Sequence, residues 1–282
     1  DSDGAGDFNV FVGELSGGTG TQTDDADGNV GVGYRALTDV TSGNQNVAIG
    51  KDALTNITSG DSNIGIGSDA LGTATTAEDV IAIGRNAGYA INNDLADGTI
   101  AIGRNALTSL ASGAGNTAIG HQALAGHTTG ARNIAIGYGS MDGTSGATVK
   151  DSNDNIMIGY DSGGGTWTTA VSQYNIGIGN YVMDAAMNGA NYNVGIGFSS
   201  LSALTQGDSN TALGNEALAS VTIGSRNIGI GFDAGKAMTT ANRNIAIGYE
   251  ALRTEDEDGD RTMAIGYQAL YSQNGATETM GN

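Results

Sequence analysis

The chain has 282 residues, with 48 glycines, no proline, no cysteine and a formal net charge of −19. This composition excludes a collagen triple helix, and it excludes disulfides, cysteine-bound zinc and a thiol nucleophile. The acidic charge disfavours nucleic acid and anionic membrane surfaces as partners, and no apolar run of about 18 residues is present for membrane insertion.

One repeat organises the whole chain. A block of the form Asn-(Val/Ile)-(Ala/Gly)-Ile-Gly-x-x-Ala-Leu recurs fifteen times, and eight of the fourteen intervals between copies are 17 residues long. A repeat this short cannot bury a core by itself, so the copies must stack on one another. The glycine that closes each strand block lies at Gly13, Gly33, Gly50, Gly67, Gly84, Gly103, Gly120, Gly137, Gly159, Gly179, Gly197, Gly214, Gly231, Gly248 and Gly266.

The apolar residues within each block alternate with a period of two, as in a β-strand. Val47 and Ile49 fall on one face, which we predict to be the inner face because it is β-branched. Ala48 falls on the opposite face, where small residues in most copies indicate that another backbone comes close. These small residues are Ala48, Gly65, Ala82, Ala101, Ala118, Ala135, Gly177, Gly195, Ala212, Gly229, Ala246 and Ala264.

The rest of the repeat predicts turns and a second strand. Gly50 permits a turn, the segment 52–54 (Asp-Ala-Leu) is predicted to be a second short strand, and a further glycine closes the coil. The recurrent asparagines are interpreted as turn-forming residues that can also form a ladder of side-chain amides. The sequence therefore predicts an all-β solenoid of about 15 coils of ~17 residues, with residues 1–282 forming one domain.

Two longer insertions, 143–154 and 163–173, interrupt the repeat in the middle of the chain. The second contains the only tryptophan, Trp167, and nearby copies add Tyr174, Tyr181 and Tyr192. We interpret this aromatic group as core filling beneath a wide coil. A patch that stacks on a glycan or a protein partner is the alternative.

Three acidic turns contain carboxylates close in sequence, at 1–7, 24–28 and 256–260. None has the spacing of a complete calcium-binding loop, so we predict solvated turns with, at most, weak Ca²⁺ binding. Asp256, Asp258 and Asp260 are the best candidates for metal ligands. No other cofactor is predicted.

No catalytic residues are predicted, and the chain is not expected to be an enzyme. The Gly-x-Gly-x-x-Ala matches at Gly31, Gly65 and Gly229 belong to the repeat and lack the βαβ context of a nucleotide site. His121 occupies a position after the repeat glycine that varies between copies.

The strand block resembles the head repeats of trimeric autotransporter adhesins, most closely at residues 46–50, 133–137 and 244–248. The longer form Gly-Tyr-x-Ala-Leu, at 33–37, 248–252 and 266–270, resembles repeats of phage tail fibres. This resemblance covers nearly the whole chain. It implies a left-handed parallel β-roll, assembled as a parallel homotrimer in which the small residues pack around the three-fold axis.

The resemblance implies a structural fibre segment of a phage tail fibre or similar surface appendage, at the virion surface or outside the cell. Such a segment supports host or surface attachment through a cell-surface glycan or protein receptor, and the incomplete copy at 277–281 predicts a longer fibre. The alternative is the head of a bacterial adhesin. An ice-binding solenoid is disfavoured because Thr73, Thr75 and Thr76 are not expected to align, and a polysaccharide-cleaving solenoid is a further alternative.

Overall fold

The computed structural model describes residues 8–18, 26–144, 152–167, 170–254 and 259–272. The chain divides into two compact units, one formed by Asp1–Ser145 with Lys150–Asn153 and the other by Gly146–Val149 with Asp154–Asn282. We call them unit 1 and unit 2. Both are built from the same repeat, and the expectation that residues 1–282 form one domain stays a prediction.

Each unit is a stack of coils that contribute one three-residue strand apiece. The strands of unit 1 are β1 (Val10–Val12), β2 (Val30–Val32), β3 (Val47–Ile49), β4 (Ile64–Ile66), β5 (Ile81–Ile83), β6 (Ile100–Ile102), β7 (Thr117–Ile119) and β8 (Ile134–Ile136). The strands of unit 2 are β9 (Ile156–Ile158), β10 (Ile176–Ile178), β11 (Val194–Ile196), β12 (Thr211–Leu213), β13 (Ile228–Ile230), β14 (Ile245–Ile247) and β15 (Met263–Ile265).

Within each unit, consecutive strands pair in parallel, so that equivalent repeat positions lie opposite one another. Val47 pairs with Ile64 in unit 1, and Ile228 pairs with Ile245 in unit 2. The described residues contain no α-helix, and a single 3-10 turn, Asp94–Ala96, lies between β5 and β6. The prediction of an all-β parallel solenoid of about 15 coils is confirmed.

Gly50 follows its strand with a backbone φ of 137°, in a region that residues with a Cβ rarely adopt. A Cβ at this position would lie 2.7 Å from the carbonyl carbon of Gly67 in the next coil. Equivalent glycines therefore stack backbone on backbone, and the predicted turn at Gly50 is confirmed.

The prediction of a second strand at residues 52–54 is wrong. Asp52 and Leu54 have φ values of 54° and 47°, and the segment is a turn rather than a strand. Its amides still bond to neighbouring coils: Asp52 N–H donates to the Tyr34 carbonyl, and Leu54 N–H donates to the Ala70 carbonyl. Burial of the leucine between coils offsets the roughly 1–2 kcal/mol that a left-handed conformation costs.

The buried asparagines form a ladder that runs along the stack. Asn46 Nδ2 donates to the Gly60 carbonyl at 2.8 Å, which ties the strand to the segment that closes the same coil. Asn46 Oδ1 accepts from both the backbone and side-chain nitrogens of Asn63, each at 3.0 Å. The expected amide ladder is therefore present, and its members are buried.

Candidate interaction surface

The small residues of the strands point into the interior of the chain. Ala48 is fully buried. A Cβ at Gly65 would lie 3.1 Å from Leu54 Cγ of the preceding coil and 3.4 Å from the Ala70 carbonyl oxygen of its own coil. The sequence correctly indicated a close backbone, but that backbone belongs to the same chain.

The assignment of the small residues to a trimer interface is therefore wrong. Leucine from the turn segment fills the narrow interior, and alanine or glycine lies opposite it. The strand Ile156–Ile158 has the buried Met157 at the inward position, and Gly163 takes the place of the leucine in that coil. Fully or almost fully buried alanines of this set are Ala48, Ala82, Ala101, Ala118, Ala135, Ala212, Ala246 and Ala264, and the glycines at the same inward position are Gly65, Gly177, Gly195 and Gly229.

The β-branched residues lie on the outer side of the strands, which reverses the predicted orientation. Val47 is half-buried and Ile49 is 40% exposed. We call these outward positions the outer strand face. In unit 1 it consists of Val30, Val47, Ile64, Ile81, Ile100, Thr117 and Ile134 in one column and Val32, Ile49, Ile66, Ile83, Ile102, Ile119 and Ile136 in the other.

Unit 2 has the same outer strand face over β9 to β15, with threonine at Thr211 and aliphatic or methionine side chains at the other positions. At ~4.8 Å per coil, with each of the two columns ~7 Å wide, seven coils cover on the order of 500 Å² in each unit. Exposed apolar patches of that size mark interaction sites in soluble proteins. The outer strand face is therefore the main candidate interaction surface.

The aromatic residues that were the alternative candidate for a partner patch do not form one cluster. Trp167 is fully buried and its Nε1–H donates to the Gly163 carbonyl at 2.9 Å, so it fills the core and cannot contact a partner. Tyr174 and Tyr192 are exposed and stack with ring centroids 5.1 Å apart. Tyr181 belongs to a separate group, because its ring contacts Tyr160 edge-on at 5.3 Å.

A third aromatic group escaped the sequence reasoning. Phe232 stacks on Tyr249, and Tyr249 stacks on Tyr267, each with centroids 5.3 Å apart. All three rings are exposed and follow the strand-closing glycine in successive repeats. Reading that repeat position down the chain would have identified them.

A network of charged groups links four coils of unit 2. Asp233 is almost fully buried; Arg253 Nε lies 2.9 Å from its Oδ2 and Lys236 Nζ lies 3.3 Å from its Oδ1. Hydrogen bonding to Asp233 raises the pKa of Arg253, and hydrogen bonding to Glu216 raises the pKa of Lys236. Arg253 also donates to the Tyr271 hydroxyl at 2.8 Å. The buried carboxylate is held by cations on two sides, which is a structural arrangement.

The predicted metal site lies mostly outside the described residues, since it includes Asp256 and Asp258. Asp260 Oδ1 accepts hydrogen bonds from the backbone nitrogen of Asn242 at 2.6 Å and from its Nδ2 at 3.3 Å. Asp61 and Asp208 similarly accept from backbone nitrogens of preceding coils. Asp260 thus belongs to this set, and the ranges described contain no group of three or more metal-ligating side chains.

Threonines do fall into register, contrary to the expectation from sequence. Thr41, Thr58 and Thr75 occupy equivalent positions of three coils, and each hydroxyl donates to the carbonyl of the next coil. Because those hydroxyls bond to the backbone, the column does not present the free array that ice binding requires.

No helix in the described ranges is both long and apolar enough to cross a membrane. The chain matches no protein-family model and no curated protein.

Proposed function

We propose that this chain is a structural segment of a fibre, such as a phage tail fibre or a similar surface appendage, that supports attachment to a host or surface. The observation that carries the proposal is the outer strand face. Coil after coil repeats the same internal contacts and leaves the same pair of apolar columns uncovered, as at Val47 and Ile49. A repeat of this kind supplies length and a surface for lateral assembly.

The assembly in this proposal is a parallel homotrimer of left-handed β-rolls. Its support is the outer strand face, because the small residues are buried within each chain. Another copy of the chain has the same ~4.8 Å coil spacing, so apolar columns on two copies match at every coil. The chain has no enzymatic role in this proposal, and a cell-surface glycan or protein receptor binds at a site still to be identified.

The first experiment measures mass in solution. Sedimentation equilibrium should give three times the chain mass of 28.2 kDa. Substitution of Ile49, Ile66 and Ile83 by threonine should release monomers while retaining the β circular-dichroism signal. The matched control is Ser59→Ala on an exposed turn of the same unit. A wild-type monomer at all concentrations contradicts the homotrimer.

The second experiment locates the protein. Immunogold electron microscopy with an antibody to the chain should label fibres on a virion or similar particle. Label confined to a bacterial cell surface would support the adhesin alternative, and label inside cells would contradict both.

A further inference from the structure

The outer strand face has two edges, one at the start of each strand and one at its end, and different residue types lie along them. We call the residue just before the ladder position the N-flank and the residue just after the strand-closing glycine the C-flank. In the coil of β14, the N-flank is Arg243 and the C-flank is Tyr249, and both are exposed.

Three successive coils of unit 2 repeat this combination. The N-flanks of β13, β14 and β15 are arginines, and the C-flanks are the three stacked aromatic rings. Coil by coil, the pairs are Arg226 with Phe232, Arg243 with Tyr249, and Arg261 with Tyr267.

The arginine column has no partner within the part of the chain that the structure describes. No ion pair or side-chain hydrogen bond involves Arg226, Arg243 or Arg261 there. In-register stacking at ~4.8 Å brings three like charges close together, which is unfavourable. A surface that offers acceptors and aromatic rings to this column would relieve that repulsion.

The aromatic rings of the same coils do not serve as that surface. The strand Ile245–Ile247 lies between Arg243 and Tyr249. The one cation–π contact among described residues lies elsewhere, with the Arg253 guanidinium 5.7 Å from the Tyr271 ring centroid. In that pair arginine also donates to the tyrosine hydroxyl at 2.8 Å. Arginine and aromatic residues on the flanks can make the same kind of contact with another chain.

Two coils of unit 1 have an acidic residue at or beside the N-flank and arginine at the C-flank. The N-flank of β5 is Asp79 and its C-flank is Arg85. In β6, Asp97 lies one residue before the N-flank and Arg104 is the C-flank. Burial raises the pKa of Asp97, a hydrogen bond from the Glu78 N–H lowers it, and the neighbouring Asp94 and Asp79 raise it. No ion pair among the described residues involves Asp79 or Asp97. In these two coils of unit 1, as in the three coils of unit 2, the two flanks at one coil level carry complementary chemistry.

We propose that a second copy of this chain docks in parallel and in coil register, with its N-flank against the C-flank of the first copy. Arg226, Arg243 and Arg261 of one copy then pack against Phe232, Tyr249 and Tyr267 of the other, and Asp79 meets Arg85. An antiparallel arrangement would instead place like flanks together, arginine against arginine. This seam rests on the self-assembly in the proposed function and specifies its register and direction.

The absence of cysteine allows a direct test of the seam. The variant Arg243→Cys/Tyr249→Cys, treated with a short bis-maleimide, should form covalent oligomers. Arg243→Cys alone and Tyr249→Cys alone should stay uncrosslinked, whereas mixing the two single variants should give covalent dimers. The staggered control, Arg226→Cys/Tyr267→Cys, should react far less, because two coils add ~10 Å.

Charge reversal supplies a second test on exposed positions. Arg226→Glu/Arg243→Glu/Arg261→Glu should raise the dissociation constant of the assembly at least about tenfold, because glutamate has no favourable contact with the aromatic C-flanks. Adding Phe232→Arg/Tyr249→Arg/Tyr267→Arg to the same chain should restore association, since this recreates the order seen at Asp79 and Arg85. Circular dichroism verifies that each variant folds.

The outcomes separate the seam from the proposed function. A wild-type oligomer with crosslinks between like flanks, equal crosslinking in the staggered control or no crosslinks in any variant overturns the seam and leaves self-assembly standing. A wild-type chain that sediments as a monomer overturns both.

Discussion

The two units differ in the continuity of their asparagine ladder. In unit 2, six asparagines follow one another without a break, from Asn155 to Asn244. In unit 1, the ladder stops after Asn63, passes Val80 and Thr99, and resumes at Asn116. Strand pairing is nevertheless identical across the gap, since Ile64 pairs with Ile81 and Ile81 with Ile100.

The gap shows what the asparagine contributes. Where Thr99 replaces it, the Gly113 carbonyl accepts from Asn116 Nδ2 at 2.7 Å. The asparagine thus satisfies a buried carbonyl, and in the coil of Thr99 the next asparagine supplies the donor instead.

The largest expected effect is a break in the continuous ladder. Asn210→Ala in unit 2 removes the donor to the Gly224 carbonyl and the acceptor for Asn227 N–H, both of which are buried. Two unsatisfied groups should lower the free energy of unfolding by about 4 kcal/mol. Urea denaturation measures the loss, and hydrogen exchange should place it in unit 2.

Gln206→Ala is the matched control, because its exposed side chain lies four residues away in the same unit. It should change the free energy of unfolding by less than about 0.5 kcal/mol. Equal losses in the two variants would contradict the role assigned to the ladder.

A second difference between the units is a buried histidine in unit 1. His127 is 1% exposed, its Nδ1 lies 3.2 Å from Thr144 Oγ1, and equivalent positions in unit 2 hold Leu204, Val221 and Met238. Burial lowers the pKa of His127 from 6.5 to about 4, with a hydrogen bond to Gly130 opposing the shift.

Acid should therefore weaken unit 1 through this residue. Between pH 6.5 and about 4 the unfolded chain binds a proton that folded His127 does not, so stability falls as pH falls through this window. At about 1.4 kcal/mol per pH unit, the full loss is about 3 kcal/mol. Unfolding free energies of the wild type and His127→Leu, measured across this range, isolate the effect from the carboxylates. Parallel pH profiles for the two proteins would contradict the prediction.

The sequence was sufficient for the period, the strand positions and the glycine turns, because each follows from a local constraint that recurs in every copy. It was insufficient for the inside and outside of the strand. Alternation in Val47-Ala48-Ile49 defines two faces but does not say which is buried, and β-branched residues are normally the inner ones. Here Leu54 occupies the narrow interior, so alanine is the largest residue that fits beside it.

The same uncertainty about which strand face is buried limited the prediction of the candidate interaction surface. Trp167 is the one tryptophan of the sequence, but only its burial in the structure shows that it fills the core. The flank pairs such as Arg243 with Tyr249 were present in the aligned repeats, yet they become meaningful only when the strand face between them is known to be uncovered. The contacts of such a surface form between two chains, so the pattern of a single sequence does not identify them.

The smallest expected effect is a gain of stability within the gap of unit 1. Thr99 is fully buried and its Oγ1 has no hydrogen-bond partner, so it retains the desolvation penalty of a hydroxyl without a compensating bond. Thr99→Val, which has nearly the same shape, should raise the free energy of unfolding by about 1 kcal/mol. Chemical denaturation measures the gain, and Thr117→Val on the outer strand face is the control with little expected change. The ladder position of the preceding coil already holds a valine, Val80. A loss of stability in Thr99→Val would therefore mean that the Thr99 hydroxyl stabilises the fold and would contradict the prediction.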